Sequence, residues 1–77
     1  MNDLAAAIRH FGEQELAVRR LYATEPAFRE LCEDLATAVN SLERWKSDRT
    51  RAEEYEHLIQ EIETEISEFL GRNARPR

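Results

Sequence analysis

One run in the chain has a spacing suited to chemistry: Glu54-Tyr55-Glu56-His57. A carboxylate and an imidazole three residues apart share a helix face, and pairs of this kind hold the metals of di-iron carboxylate bundles when two are brought together. A single copy per chain would therefore need an oligomer to become a small ferroxidase-like metal site. The surrounding heptad opposes this reading. With Ala52 and Ile59 at a and Tyr55 and Ile62 at d, Glu54 falls at c and His57 at f, on the outer face. The accidental occurrence of Glu-x-x-His in a glutamate-rich helix explains the match more simply. His10, Cys32 and His57 lack any ligand spacing among themselves and lie in three different segments. Cys32 is followed by Glu33 and Asp34, acids that raise a thiol pKa, so it reads as a packing residue and not as a nucleophile. No catalytic residue, metal ligand or cofactor is assigned.

Charge offers a second kind of site. Residues 51–70 carry seven Glu against one Arg, whereas residues 71–77 carry three Arg and no acid. A glutamate-rich helix is ordinarily a solvated face, and its functional reading is an acidic docking surface, with Glu61, Glu65 and Glu68 as candidates. Tyr22 and Trp45 end apolar stripes, where an aromatic either closes the core or anchors an interface. Three arginines are too few to anchor the chain on a membrane or on nucleic acid, and the formal charge of −5 disfavours anionic partners generally. The N-terminal segment has one cation, Arg9, ahead of Arg19, which gives it no basic flank for stable membrane association.

These residues must be positioned by a small scaffold. Seventy-seven residues make one domain, without room for a separate catalytic module. A core of this size seldom supplies more than about 3–5 kcal/mol, and small proteins commonly add disulfides, metal or self-association. The lone cysteine excludes an internal disulfide, which raises the expectation of a homo-oligomer, with a dimer favoured. Charged residues at 35%, with two Gly and two Pro, suit long helices. No stretch approaches the apolar length of a membrane span, and the N-terminus lacks a basic region followed by an apolar run, so a cytoplasmic, soluble protein is expected.

The predicted fold is all-α. A first helix covers about residues 3–23, capped by Asn2 or Asp3, with Leu4, Ile8, Phe11, Val18 and Tyr22 along one stripe. Gly12 and Glu15 interrupt it, which makes this the weakest of the three helices. Glu25-Pro26 then restarts the chain, because proline suits a first helical turn and turns the preceding residue away from helical dihedrals. A second helix over about 26–46 places Phe28, Leu31, Leu35, Ala38, Leu42 and Trp45 at an unbroken 3-4-3-4-3 spacing. A third, over about 51–70, repeats it at Ala52, Tyr55, Ile59, Ile62, Ile66 and Phe69, with Thr50 and Glu53 as a capping box. Equal stripes, each roughly 26 Å long, predict an antiparallel hairpin with Phe28 near Phe69 and Trp45 near Ala52. Gly71 is expected to end the helix and 71–77 to form a mobile basic tail beyond a 1–70 domain. Cys32, Val39, Leu58 and Leu70 flank the stripes and need a cover, which either the first helix, in a three-helix bundle, or a second hairpin, in a dimeric bundle, would supply.

Residues Glu25-Pro26-Ala27-Phe28-Arg29-Glu30-Leu31-Cys32-Glu33-Asp34, then Leu42-Glu43-Arg44-Trp45, then Glu54-Tyr55 with Leu58, Glu61, Glu65, Ile66 and Leu70, give the chain a resemblance to a group of short bacterial helical-hairpin proteins. Their shared pattern is an acid-Pro-x-Phe opening, a Trp at the hairpin end and a Glu-rich closing helix. In layout the chain is more loosely similar to the YdcH and SlyX types of small helical proteins. The resemblance covers residues 25–70 and implies a bacterial helical hairpin without transferable catalytic residues. Taken with the paired stripes, it leads to the expectation of a non-enzymatic, self-associating module that offers its acidic third helix or its first helix to another protein.

Overall fold

A computed structural model describes residues 2–73, and all regular structure among them is helical. Four helices follow one another: α1 (Asp3–His10), α2 (Glu15–Thr24), α3 (Pro26–Trp45) and α4 (Arg49–Arg72), with a short 3-10 turn, Gly12–Gln14, between the first two. The chain is all-α. Among the described residues no helix is long and apolar enough to cross a membrane.

The first segment departs from its predicted form. A single helix over 3–23 is replaced by two, because Phe11 leaves helical geometry at φ −129° and ψ 43° and the 3-10 turn follows. Asn2 caps α1 by accepting from the Ala5 N–H at 2.7 Å. The chain then doubles back: α1 and α2 pack on each other and both pack on α3. A straight helix would carry Asp3 and Tyr22 about 28 Å apart, yet the Asp3 carboxylate acts on both Tyr22 and Cys32. The break is favoured by Gly12, a poor helix former. It also takes Glu15 out of the apolar stripe, where it instead pairs with Arg19 at 2.8 Å. The buried face consequently belongs to Ala6, Ala7, Val18 and Leu21, while Leu4, Ile8, Phe11 and Tyr22 are only partly covered. Leu16 faces solvent with 83% of its surface exposed.

At the junction between α2 and α3, Arg29 closes the end of α2. Its Nε donates to the Tyr22 carbonyl at 3.1 Å and its Nη2 to the Ala23 carbonyl at 3.4 Å, satisfying acceptors that the terminated helix leaves free. Glu25 takes extended geometry ahead of Pro26, as a residue before proline should.

Helices α3 and α4 form the largest contact in the chain. Phe28 and Phe69 meet edge-on with centroids 5.3 Å apart, so two consecutive helices joined by residues 46–48 run in opposite directions. The start of α4 corrects the expected capping box. Asp48, not Thr50, is the cap, its carboxylate accepting from the Arg51 N–H at 3.2 Å, and the helix begins at Arg49. Asp48 prevails because its own N–H closes a turn onto Trp45 at 2.9 Å, which aims its side chain at the new helix. The other end is corrected too. Gly71 lies inside α4, which continues to Arg72 and is capped by Asn73, with no positive-φ glycine among the described residues. The expected mobile tail thus loses residues 71 and 72 to helix, and its part at 74–77 lies outside the described residues.

The core joins Phe28, Cys32, Leu35 and Ala38 of α3 to Ile59, Ile62, Ile66 and Leu70 of α4 and to Ala7, Val18 and Leu21 from the N-terminal pair. Cys32 and Leu70, predicted to flank the seam, are buried, whereas Leu58 is 41% exposed. No residue from Val39 through Leu58 is fully buried.

Candidate functional site

The five candidate interaction residues are distributed over both ends of the molecule. Tyr22 is half-buried at the α2–α3 junction with the Arg29 guanidinium 5.7 Å from its ring centre. Its hydroxyl pKa is raised, first by burial and then by Asp3, Cys32 and Glu33, with Arg29 opposing. Trp45 is half-buried at the far end of α3, about 28 Å of helix axis from Pro26. Arg51 stacks over it at 4.2 Å and also approaches Asp48 at 3.6 Å. Glu61, Glu65 and Glu68 are exposed on α4. Tyr22 and Trp45 therefore belong to separate surroundings, each with its own arginine.

Glu54 and His57 are both exposed on α4, as the heptad predicts for positions c and f. His57 approaches Glu61, one turn on, at 3.4 Å. Among the described residues no three His, Cys, Asp or Glu side chains form a group able to hold a metal ion. Cys32 is fully buried, and its thiol is pushed up to about 11 by burial first and by Asp3 and Glu33 next. A thiol held protonated and enclosed is a packing group at neutral pH.

Two contacts escaped sequence reasoning. His10 Nδ1 pairs with Glu63 Oε2, tying the end of α1 to α4 across 53 residues of chain. Helical periodicity cannot reveal a pair between segments whose relative placement depends on the break at Phe11. The stacking of Arg51 on Trp45 likewise depends on the cap at Asp48, which sets the rotation at which α4 leaves the turn.

The feature with the geometry of a binding surface is the seam between α3 and α4. On one side the His10–Glu63 pair bridges α1 to α4, and two open grooves adjoin it, one lined by His10, Val39, Leu42, Ile59 and Glu63 and the other by His10, Phe11, Gln60, Thr64 and Ser67. On the other side two shallow grooves follow each other along the seam and are lined by α3 and α4 alone. The first runs past Asp34, Ala38, Ser41, Tyr55, Leu58 and Ile62, and the second past Ala27, Leu31, Phe69 and Arg72, with Glu65 shared between them. Small residues at 37, 38 and 41 lower the α3 wall, while Leu58 stands up from α4. Comparison of the chain with protein-family models, curated proteins and solved structures yields no match, so the resemblance to short bacterial hairpin proteins rests on its quoted residues alone.

Proposed function

We propose that this chain is a non-enzymatic protein–protein interaction module of the bacterial cytoplasm that self-associates through its helical seams. The observation carrying the reading is the exposed apolar stretch of the α3–α4 seam on the side away from α1. The N-terminal helices pack on α3, and this side leaves Leu58 41% exposed beside half-buried apolar residues such as Leu31 and Phe69. Burial of such a stripe gains about 25 cal/mol per Å² of apolar area, stabilisation that a small core lacks by itself. Glu61, Glu65 and Glu68 form an acidic rim on α4 that favours a cationic counterpart at its edge. Tyr22 and Trp45, each under an arginine, are the aromatic anchors available for a further protein partner at the two ends.

Light scattering on untagged protein over a wide concentration range, followed by sedimentation equilibrium, tests the reading. The expected result is a concentration-dependent mass of two chains or more. A strict monomer up to millimolar concentration would overturn it.

A further inference from the structure

The side of the seam that carries Leu58 has an apolar middle, a cation toward one end and an excess of acids toward the other. Arg51 stands at the end near the α3–α4 turn, stacked on Trp45, with about half of its side-chain surface exposed. Asp34, Glu65 and Glu68 line the grooves toward the opposite end, where Arg72 is the one cation among the lining residues, and Leu58 and Ile62 lie between. The same asymmetry extends beyond the grooves. Residues 44–56 hold Arg44, Lys46, Arg49 and Arg51 against Asp48, Glu53, Glu54 and Glu56, whereas residues 58–72 hold four glutamates against Arg72.

We propose that this face binds a second copy of the chain in antiparallel orientation, with the two-fold axis beside Leu58 and α4 crossing α4. The inference rests on the self-association proposed above and specifies its surface and direction. A parallel pairing would set Asp34 and Glu65 against their own copies, which like charges disfavour. Antiparallel pairing brings each arginine end to an acidic end. Arg51 and Glu65 lie seven residues to either side of Leu58, two helical turns each way, so an axis at Leu58 places Arg51 opposite the partner's Glu65. The same operation sets Leu58 against the partner's Leu58, with Tyr55 level with the partner's Glu61. An isologous contact of this kind is self-complementary, as a two-fold dimer requires. The product is a four-helix bundle made of two hairpins, with the N-terminal helices on its outside.

The test combines charge reversal with crosslinking, using sedimentation equilibrium of the full chain as the readout. Arg51→Glu alone and Glu65→Arg alone are each expected to weaken the dimer at least tenfold, and the double variant to recover most of that loss. In a Cys32→Ala background, Leu58→Cys should give a disulfide-linked dimer on mild oxidation, while Ser67→Cys, on the α1 side of α4, should not. A wild-type dimer indifferent to both reversals, or one crosslinked equally well through position 67, would overturn this surface and leave self-association standing. A monomeric wild type would overturn both.

Discussion

The two halves of the α3–α4 pair carry the same apolar rhythm and have different surroundings. In the half nearest Pro26 and Arg72, Ala7, Val18 and Leu21 of α1 and α2 join the core, and Phe28, Cys32, Leu35 and Ile66 have no exposed surface. In the half nearest the turn the equivalent positions, Leu42, Trp45, Ala52 and Tyr55, are only partly covered. The difference teaches that a heptad stripe seals two helices along one line, and that complete burial needs a third layer. The turn end is held instead by local devices: the Asp48 cap, the stack of Arg51 on Trp45, and the weak pair of Lys46 with Glu43 at 3.7 Å.

The largest effect should separate the halves directly. Leu35→Asp buries a carboxylate without a partner and is expected to unfold the protein, since that cost exceeds the roughly 3–5 kcal/mol available to a core of this size. Leu42→Asp, at a half-covered position, should cost about 1–2 kcal/mol and leave a folded protein. Circular dichroism with urea titration reads both, and equal losses would erase the distinction between the halves.

A smaller effect concerns the dry half alone. The Cys32 thiol ionises at about 11 in the folded chain and near 9.0 once exposed, so the folded state keeps its proton longer. Stability is therefore full below pH 9 and declines between pH 9 and 11, by up to about 2 kcal/mol. Denaturant midpoints measured across this window for the wild type and Cys32→Ala check it: the decline should be shallower in the variant.

Smaller still is the effect at the end of α4. Gly71 is helical, without positive φ, and an added methyl group would meet open space. Gly71→Ala should stabilise the protein by about 0.5 kcal/mol, whereas a left-handed glycine ending the helix would make the same change destabilising. The smallest effect is expected at His57→Ala, within about 0.5 kcal/mol, because His57 is exposed and its approach to Glu61 is a surface pair. Thermal melts of both variants suffice.

Helical class, the restart at Pro26 and the pairing of Phe28 with Phe69 were legible because each follows from local rules: a 3-4 periodicity, a fixed proline φ, and two stripes of equal length. The outer placement of Glu54 and His57 followed from the same count. The caps were less legible, since Asp48 and Thr50 both suit a helix start and the choice between them depends on the turn closed onto Trp45. Gly71 carried a termination signal that α4 passes through, and Asn73 accordingly takes over as its cap.

By itself, then, the sequence determined that the chain is helical and which line of each long helix is apolar, because periodicity is a property of consecutive residues. Tertiary structure alone decided that the first segment breaks at Phe11 and folds back on α3, that His10 reaches Glu63, and that Cys32 and Leu70 are buried while Leu58 is left exposed. Those outcomes depend on competition among distant surfaces for the same apolar area, and no spacing along the chain records which surface wins.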